Sequence, residues 1–522
     1  MTDTTGSSPP SRSAGREVPD VAGARTPRVA IIGSGFGGVA VAAALLRAGY
    51  DDVVLLERAD GIGGVWRDNS YPGCACDIPA PLYSYSFALN PDWSRRFPSH
   101  AEILGYLRRC ADDLGVTARV RLRTEVTDAT WDEAGSCWRL RTGAGEEVVA
   151  DVLIPAVGQL SRPVVPALPG AHRFRGRAVH TARWDPTVRV DGARVAVVGT
   201  GASAIQLVPA IAGRAAHVTV FQRTAPWTLP KPDRRYGALR RSAYRRWPWL
   251  MRLPRAGVWA MTVVTGLAVT GNRAAGALLR TLSAAQRRWQ VRDPDLRARI
   301  TPDEPMGCKR VLFTSDWLPT LARPDVDLVT EKIVEVTADG VRTADGRTHP
   351  CDVLVYGTGF AATDFLTPIR VTGRAGRRLD EVWRDGAHAY LGMAVPGFPN
   401  LFLVYGPNTN TGNTSVVYFH EAQARYIAQA VRLIAAGGPP LDVRADVAAA
   451  YDAELQRRLA GSVWTGCQSW YRTPGGRVVT NWPGLAGEYR RATARFRPAD
   501  YGRISPAAAG RGTPAPPSAT PR

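Results

Sequence analysis

Two copies of one short pattern, a β-branched strand followed by a glycine-rich turn and an apolar helix, constrain the fold of this chain most strongly. The first copy begins Arg28-Val-Ala-Ile-Ile-Gly-Ser-Gly-Phe-Gly-Gly38, and the second begins Arg194-Val-Ala-Val-Val-Gly-Thr-Gly-Ala-Ser-Ala204. Glycines in such a turn let the backbone approach a pyrophosphate, and the helix that follows directs its N-terminus at the phosphates. The sequence therefore predicts an α/β protein with two Rossmann-like dinucleotide-binding domains.

The residue that ends the second strand of each copy indicates which dinucleotide is bound. Glu57 follows Gly33 by 24 residues, and Arg223 follows Gly199 by the same number. A carboxylate at this place accepts hydrogen bonds from a ribose diol, whereas an arginine attracts a ribose 2′-phosphate through charge-assisted bonds. We therefore expect FAD in the first unit and NADPH, rather than NADH, in the second. A Rossmann unit that has lost its ligand is the alternative.

The order of these patterns predicts that the NADP-binding domain is inserted in the FAD-binding domain. We expect strands at 151–158 and 351–360 in the sheet of the first unit, with the chain returning to it near residue 325. The segment at about 239–299 reads as a helical insertion and is a candidate cap over the substrate site. The predicted domains are a disordered tail (1–26), the first segment of the FAD-binding domain (27–170), the NADP-binding domain with its insertion (171–324), the second segment of the FAD-binding domain with the C-terminal region (325–502), and a second disordered tail (503–522).

The net charge of +20 does not by itself indicate a nucleic-acid partner. Of the 66 basic residues only three are lysines, and the arginines are scattered among alanines and glycines. No zinc pattern or basic recognition helix accompanies them. We attribute the charge to a composition biased toward Ala, Gly, Pro and Arg, and we predict no nucleic-acid partner.

An uncharged run of seventeen residues lies between Arg255 and Arg273. A bilayer-spanning helix needs about 20 predominantly apolar residues, and this shorter run is interrupted by glycines and threonines. We predict a buried helix or a lid element and no transmembrane segment. Peripheral membrane contact is the less favoured alternative.

Cysteine usage predicts a cytoplasmic protein with reduced thiols. The chain has seven cysteines, and its N-terminal stretch is rich in Ser, Pro and Thr without the apolar core of a secretory signal. Cys74 and Cys76 lack the C-x-x-x-x-C spacing of flavin disulfide reductases and have no companions for a metal site. We interpret both as structural and predict no bound metal.

A second glycine-rich stretch follows Glu57 and reads Gly63-Gly-Val-Trp-Arg-Asp-Asn-Ser-Tyr-Pro-Gly-Cys-Ala-Cys-Asp77. Glycines beside a flavin allow close backbone approach, and Trp66 can pack on the edge of the isoalloxazine ring. Simple core packing is the alternative for Trp66 and Tyr83.

Three motifs, in order along the chain, resemble those of Baeyer–Villiger monooxygenases, flavoenzymes that insert an oxygen atom beside a ketone carbonyl. They are the stretch at 63–77, the stretch Phe174-Arg-Gly-Arg-Ala-Val-His-Thr-Ala-Arg-Trp-Asp185, and the stretch Asp303-Glu-Pro-Met-Gly-Cys-Lys-Arg310. The resemblance covers roughly residues 27–490. It implies an enzyme that uses FAD, NADPH and O2 to convert a ketone or aldehyde into an ester or lactone by way of a flavin peroxide.

The resemblance also implies roles for individual residues. Arg310 would approach the reactive face of the flavin, Asp77 would be an acid beside the ring, and Lys309 would help bind the NADPH phosphate. A fixed guanidinium suits this task because it stays charged and stabilises an anion in a water-poor pocket, and Asp77 would orient it or tune its field. We interpret His180 as a positioning or relay residue where the chain crosses between the units. A solvated basic pair is the alternative for Lys309 and Arg310.

The predicted site therefore has a small catalytic set and a larger cofactor-binding set. The predicted catalytic residues are Arg310, Asp77 and His180. The predicted cofactor-binding residues are Gly33, Gly35, Phe36, Gly38, Glu57, Arg58, Gly64, Val65, Trp66, Asp77, Tyr83, Val126, Gly199, Gly201, Ala202, Ser203, Arg223, Thr224, Lys309, Gly359, Phe360 and Asn408.

Three other functions remain open on the sequence. The first is a flavin-containing monooxygenase that acts on nitrogen or sulfur, which shares both nucleotide-binding folds but usually lacks Trp184 and Asp185 in this motif. The second is an FAD/NADPH reductase or oxidase, against which Arg310 and the lack of a redox cysteine pair argue. The third, from a different class, is a non-enzymatic flavin-binding protein.

Overall fold

The computed structural model of this chain describes residues 26–412 and 414–503. The two predicted disordered tails lie outside the described residues, apart from Thr26 and Arg503. Strands and helices alternate over most of the described length, as an α/β fold requires.

The strands are short, and most of them belong to three larger sheets. In chain order they are β1 Val29–Ile32, β2 Val53–Leu56, β3 Val120–Arg121, β4 Val126–Asp132, β5 Cys137–Thr142, β6 Glu147–Ala150, β7 Val152–Pro155, β8 Arg177–His180, β9 Arg194–Val198, β10 His217–Phe221, β11 Thr228–Leu229, β12 Leu312–Phe313, β13 Val326–Val329, β14 Ile333–Val336, β15 Gly340–Thr343, β16 Thr348–Pro350, β17 Val353–Tyr356, β18 Arg370–Thr372, β19 Leu441–Val443 and β20 Tyr501–Arg503.

The α-helices range from single turns to five-turn rods. In chain order they are α1 Phe36–Arg47, α2 Val65–Asp68, α3 His100–Asp113, α4 Ala204–Ile211, α5 Ala238–Arg246, α6 Arg252–Val269, α7 Arg273–Gln290, α8 Pro294–Arg299, α9 Trp317–Leu321, α10 Leu379–Val382, α11 Val416–Ala435, α12 Ala445–Ala460 and α13 Ala486–Ala492.

The first glycine-rich unit builds a parallel sheet in the order β3-β2-β1-β7. Helix α1 is almost wholly buried because it lies between this sheet and α11. A late segment of the chain extends the sheet beyond β7: the N–H of Phe402 donates to the carbonyl of Leu153, and that of Val404 donates to Pro155. The first unit is therefore completed by residues 401–404.

The second glycine-rich unit builds a five-stranded parallel sheet in the order β13-β10-β9-β17-β8. This order corrects two predictions. The strand predicted at 351–360 for the first sheet is β17, which lies inside the second sheet. Because β13 also belongs there, the domain boundary predicted near residue 325 is wrong, and the second unit extends to Tyr356. A strand that is buried on both faces fits the interior of either parallel sheet, so its sequence does not specify which sheet it joins.

The predicted crossing segment at 174–185 likewise belongs to the second unit. Its residues Arg177–His180 form the edge strand β8, and Thr181–Arg183 form a single turn of 3₁₀ helix. The chain thus forms the first sheet, builds the whole second sheet, and returns to the first. The predicted α/β class, with one Rossmann-like domain inserted in another and a helical middle segment, is confirmed.

A third sheet, β18-β4-β5-β6, packs beneath the first. Val126 opens its strand β4 and is buried where the two sheets meet. Trp131 and Trp138 face each other edge-on across β4 and β5, with ring centroids 5.6 Å apart. This sheet supports the first unit from the side opposite α1.

The helical insertion predicted at about 239–299 corresponds to α5–α8, which begin at Ala238 and end at Arg299. Helix α6 contains most of the uncharged run and is buried on one face only: Val258 and Val269 are buried, whereas Val264 and Leu267 are exposed. The predicted buried helix is therefore correct for half of its surface. No single helix among the described residues combines the length and apolar character of a membrane span. One bent pair, Pro248–Val269 with Arg273–Gln290 at 106°, passes that test jointly.

The prediction of reduced thiols is wrong for two cysteines. Cys308 and Cys467 form a disulfide with their Cα atoms 6.0 Å apart, across a sequence separation of 159 residues. Sequence spacing cannot predict such a disulfide, because only the tertiary fold brings the two cysteines together. The other five cysteines are free and buried. Burial raises the pKa of the Cys74 thiol to about 12, which suits the structural interpretation of this residue.

Candidate active site

A cavity of about 360 Å³ lies between the two glycine-rich units, a size typical of cofactor sites. Its wall contains the first glycine turn, the start of α2, the loop at 74–78, the start of α4 and the loop at 404–416. The predicted site residues that line it are Gly33, Gly35, Phe36, Glu57, Arg58, Gly64, Val65, Trp66, Asp77, Tyr83, Val126, Ala202, Ser203, Arg310 and Phe360.

The floor of the cavity is bare backbone at the first glycine turn. Gly33 has φ +102°, and a Cβ atom there would lie 2.8 Å from the carbonyl oxygen of Ala156. A Cβ atom on Gly38 would lie 2.0 Å from the carbonyl oxygen of Gly33, so this glycine permits the close packing of α1 on the turn. A side chain at either position would push the main chain into the space that a pyrophosphate needs.

Glu57 is buried in the cavity wall and held by three hydrogen bonds. Its Oε2 accepts from the N–H of Ser34 at 2.8 Å and from the Ser34 hydroxyl at 2.7 Å, and its Oε1 accepts from the N–H of Ala59 at 3.0 Å. Two carboxylate oxygens offer about four acceptor positions, and three are used, so about one remains for a ribose hydroxyl. With the bare glycine turn, this carboxylate makes the first unit fit FAD.

The aromatic residues predicted beside the flavin pack on one another at the cavity wall. The indole N–H of Trp66 donates to the Tyr83 hydroxyl at 3.0 Å, and the two rings meet edge-on with centroids 5.5 Å apart. Burial raises the pKa of Tyr83 well above its usual value, so this phenol remains protonated. Trp66 and Tyr83 therefore form one rigid wall.

Asp77 and Arg310 meet at the cavity, although 233 residues separate them in sequence. A guanidinium nitrogen of Arg310 lies 2.6 Å from the Asp77 carboxylate, and the two side chains are only 29% and 20% exposed. The charge of Asp77 raises the pKa of Arg310 further above its usual value, against the opposing effect of burial. The site therefore contains a permanent cation anchored by a carboxylate.

Two further tyrosines surround this pair. Tyr405 lines the cavity, and its hydroxyl donates to the Asn410 side chain at 2.9 Å. Tyr471 is completely buried, and its hydroxyl has no hydrogen-bond partner in the described part of the chain. Burial raises the pKa of Tyr471 to about 12, and the charge of Arg310 opposes this rise. The disulfide from Cys308 fastens the loop of Arg310 to the segment that precedes Tyr471.

The two cations predicted to bind the NADPH phosphate lie outside this cavity, at the end of β10. Arg223 is exposed, and the Lys309 ammonium donates to the Thr224 hydroxyl at 3.0 Å. Lys309 also pairs with Glu304 at 2.7 Å. Gly199 has φ +106°, and a Cβ atom there would lie 2.7 Å from the carbonyl oxygen of Gly357. A bare glycine turn with two cations at the adjacent strand end fits a dinucleotide that carries a 2′-phosphate.

His180 ends β8 outside the cavity lining and stands behind Phe360, with its ring edge-on at 6.0 Å. Its Nδ1 accepts from the N–H of Ala182 at 3.0 Å. Burial lowers the pKa of His180, so the imidazole is neutral near pH 7. The structure therefore places His180 one residue away from the cavity, and its relay role stays a prediction.

Asn408 is the predicted cofactor residue that the structure turns away from the site. Its amide donates to the carbonyls of Val478 and Asn481, both at 3.0 Å, inside the protein. Its place is taken by Asn410, Thr411 and Thr414 of the same loop, which line the cavity just before α11 begins. The sequence alone did not indicate which polar side chain of this loop faces the cavity.

Two further cavity-lining residues, both on helices, were also missed by sequence reasoning. Gln206 of α4 accepts from the Tyr71 hydroxyl at 2.9 Å and donates to the Ala75 carbonyl at 3.0 Å, which ties the second unit to the loop of Asp77. His420 of α11 packs edge-on against Tyr405 at 5.5 Å, and burial lowers the pKa of His420 to about 3. Neither residue lies in a recognisable motif; only their positions on helices that begin at the cavity could have indicated them.

Comparisons with known proteins agree with this geometry. Residues 27–243 match a family described as pyridine nucleotide-disulphide oxidoreductase. A Baeyer–Villiger monooxygenase of Streptomyces coelicolor is 42% identical over 486 residues, which cover 92% of this chain and 93% of that protein. The chain belongs to the Baeyer–Villiger monooxygenase family.

Solved structures and a more distant relative extend this comparison. A steroid monooxygenase bound to NADP is 32% identical, with a TM-score of 0.80 over 90% of this chain and 97% of that one. A closed cyclohexanone monooxygenase is 27% identical, with a TM-score of 0.82 over 90% and 96%. A phenazine N-monooxygenase of Lysobacter antibioticus is 31% identical over 90% and 95%. Membership of the Baeyer–Villiger monooxygenase family confirms the predicted enzyme class, a flavin-dependent monooxygenase with FAD and NADPH as its cofactors.

Proposed function

We propose that this Baeyer–Villiger monooxygenase uses the anchored cation Arg310, held by Asp77, to stabilise negative charge beside the carbonyl of a small ketone or aldehyde. The observation that carries the proposal is the 2.6 Å ion pair between these residues at the wall of the cavity. Arg310 comes from the chain after the helical insertion, whereas Asp77 follows the flavin-binding glycines. The pair therefore lies where two dinucleotides, one on each unit, would meet.

In this proposal the FAD site consists of the first glycine turn, Glu57, and the wall of Trp66 and Tyr83. NADPH lies against the second glycine turn, with Arg223 and Lys309 at its 2′-phosphate. When bound, FAD supplies the acceptance of hydride from NADPH and the activation of O2. The chain itself orients both dinucleotides, excludes water, and directs the guanidinium of Arg310 at the oxygen that becomes negative.

Arg310 suits an anion that must not gain a proton. Its pKa is raised by Asp77, so the guanidinium donates hydrogen bonds without giving up a proton at any working pH. A lysine or histidine in the same place could protonate the anion. The product of a ketone or aldehyde is then an ester or lactone with one oxygen atom from O2.

A second candidate is the oxygenation of a heteroatom. The relative named phenazine N-monooxygenase, at 31% identity, favours it as an alternative for this fold. A nitrogen substrate would need a protonated oxygen donor, whereas a carbonyl substrate needs the deprotonated form. The permanent charge of Arg310 therefore favours the carbonyl reaction.

The test is product analysis with the purified yellow holoenzyme. We expect a ketone to accelerate NADPH oxidation and to yield an ester that carries one atom from ¹⁸O₂. The Arg310→Ala variant should retain FAD and still be reduced by NADPH, with ester formation lower by about 100-fold or more. The exposed Arg384→Ala is the matched control. A normal ester yield from Arg310→Ala, or turnover with amines only, would overturn the proposal.

We also propose the cytoplasm as the compartment of this enzyme. Five of its seven cysteines are free and buried, in keeping with a reducing environment. The Cys308–Cys467 pair is the exception.

A further inference from the structure

The helical insertion contains an unusual concentration of charge of one sign. Residues 234–292 include thirteen arginines and no aspartate or glutamate. Nine of these arginines are exposed, namely Arg234, Arg235, Arg245, Arg246, Arg252, Arg273, Arg280, Arg288 and Arg292. Since the whole chain has a net charge of +20, this one segment dominates the positive field of the molecule.

Helix α6 exposes apolar residues along one face. Leu253, Met261, Val264 and Leu267 are 63%, 36%, 40% and 37% exposed. With 3.6 residues per turn, these positions fall within about 120° of arc around the helix. Arg255 is the one charged residue of α6 between Leu253 and Leu267; it lies on the opposite side of the helix, where it donates to the carbonyls of Pro81 and Ser84.

Helix α7 repeats the same arrangement. Leu278, Leu282 and Trp289 are 53%, 45% and 83% exposed, and their spacing places them on one stripe of the helix. The exposed Arg288 lies about 100° around the helix from this stripe, whereas the exposed Arg273 and Arg280 lie near the opposite side. The segment before α6, which includes α5, adds three more exposed apolar residues, Leu239, Trp247 and Trp249.

The opposite faces of both helices are packed against the body of the protein. Val258 belongs to the core of the first unit, and Leu279 packs with Leu229 and Met306. Val269 lies 2.9 Å from where a Cβ atom on Gly307 would stand, in the loop that leads to Arg310. The inner faces are therefore already occupied, and the outer apolar faces remain available to a partner.

We propose that the outer face of α5–α7 docks on an anionic lipid surface. Exposed tryptophans and leucines flanked by arginines are typical of helices that lie in a membrane interface, where the apolar side chains enter the acyl boundary and the cations meet lipid headgroups. A second copy of this chain would bring two segments of like charge together. A nucleic acid would leave the leucine and valine stripes of α6 and α7 without apolar partners.

From the sequence, a buried helix or lid was favoured over peripheral membrane contact, because the uncharged run alone does not reveal which face of α6 is exposed. The proposal goes beyond the oxygenation reaction and does not depend on it. The outer face of α5–α7 lies beside the loop that contains Arg310, so docking would bring the active site close to substrates dissolved in the lipid.

The experiment is co-sedimentation of the full-length holoenzyme with vesicles. We expect binding to vesicles of phosphatidylcholine with about 30% phosphatidylglycerol, whose negative surface attracts basic segments, and little binding to phosphatidylcholine alone. Binding should fall steeply as salt rises above physiological strength. Tryptophan emission should shift to the blue on binding as Trp247, Trp249 and Trp289 leave water.

Two sets of variants separate the surface from the general charge of the protein. We expect the apolar triple L278S/L282S/W289S to reduce bound protein at least fivefold. The charge triple R246Q/R252Q/R288Q, which changes the exposed arginines directly before Trp247, Leu253 and Trp289, should do the same. The matched charge control is R109Q/R384Q/R495Q, which removes three exposed arginines elsewhere. Ketone-stimulated NADPH oxidation with a water-soluble ketone should be unchanged in all variants, which verifies their folding and keeps this test separate from that of the oxygenation reaction.

Three outcomes would overturn the proposal. The first is wild-type protein that stays in the supernatant with anionic vesicles. The second is equal loss of binding in the two charge triples, or undiminished binding of the apolar triple, since either would indicate attraction to charge alone. The third is a concentration-dependent dimer in analytical ultracentrifugation that the apolar triple abolishes, because a second copy would then occupy this face.

Discussion

At 2.6 Å from Arg310, the Asp77 carboxylate both fixes the position of the guanidinium and cancels some of its charge. These two effects act in opposite directions on an anion bound nearby. Precise position strengthens a charge-assisted hydrogen bond, whereas the neighbouring negative charge weakens the field. The balance can be measured because the two side chains can be changed separately.

The Asp77→Asn variant tests which effect dominates. Asparagine keeps the shape but loses the charge that anchors Arg310, so we expect the guanidinium to leave its orientation and ester formation to fall on the order of 100-fold. Bound FAD, measured by absorbance, should be unchanged. The control Asp128→Asn breaks a comparable pair with Arg370 on the third sheet and should have no effect. Faster ester formation in Asp77→Asn would mean that Asp77 mainly attenuates the field.

We propose that Arg223 makes this site prefer NADPH over NADH. Its replacement by alanine removes a charge-assisted contact with a 2′-phosphate, so the KM for NADPH should rise roughly tenfold or more. The KM for NADH, which lacks that phosphate, should barely change. Arg214→Ala, which loses an exposed pair with Asp191 in the same unit, serves as the control. Equal increases for both nucleotides would contradict the assignment.

At the scale of elements, the sequence predicted those strands, turns and helices that depend on contacts between residues near in the chain. Each strand, glycine turn and helix around Gly33 and Gly199 was correctly predicted because backbone clashes such as that between Gly33 and Ala156 impose glycine at fixed spacing. Strand β17 was assigned to the wrong sheet because its four buried residues would satisfy either sheet. Asn408 was predicted to bind the cofactor, whereas Asn410 of the same loop lines the cavity. The two asparagines differ only in their tertiary partners, which the sequence does not show.

The disulfide joins two elements that sequence reasoning could not connect. It fastens the loop of Arg310 to the segment after α12, so we expect its loss to loosen both. Denatured protein should present five thiols before reduction and seven after it, counted with a chromogenic disulfide reagent. The Cys467→Ser variant should be cleaved faster by trypsin near Arg472 and should form less ester per NADPH consumed.

Cys137→Ser is the matched control for this experiment, because it removes a free buried cysteine of the third sheet. It should leave the rate of cleavage near Arg472 unchanged. Seven thiols in the unreduced wild-type protein, or identical cleavage of both variants, would show that the tether has no structural effect.

For the whole molecule, the important contacts are those between the two units. Gln206 links α4 to the Tyr71–Ala75 loop through three hydrogen bonds, and the backbone approaches so closely that a Cβ atom on Gly73 would lie 2.4 Å from the Gln206 carbonyl oxygen. This loop leads directly to Asp77. The unit that holds NADPH is thereby fastened to the residue that orients Arg310.

The Gln206→Leu variant removes these hydrogen bonds while keeping most of the side-chain volume. We expect flavin reduction by NADPH, followed by stopped-flow absorbance, to slow by roughly tenfold because the two dinucleotides are less well aligned. Reduction by light, which does not use the second unit, should be unaffected. Gln429→Leu, which loses bonds within the first unit only, is the control. An unchanged rate with NADPH would mean that the units are aligned by other contacts.

A ribosome that makes this chain exposes β9 long before its neighbour β17. The two strands end at Val198 and Tyr356, 158 residues apart, and at roughly 5–20 residues per second this interval lasts on the order of 10–30 s. The sheet of the first unit is completed later still, because Leu153 pairs with Phe402. Both units therefore reach completion within about 50 residues of each other. Nascent chains shorter than this should expose unpaired strand edges and depend on chaperones, whereas full-length chains should acquire both nucleotide sites almost together.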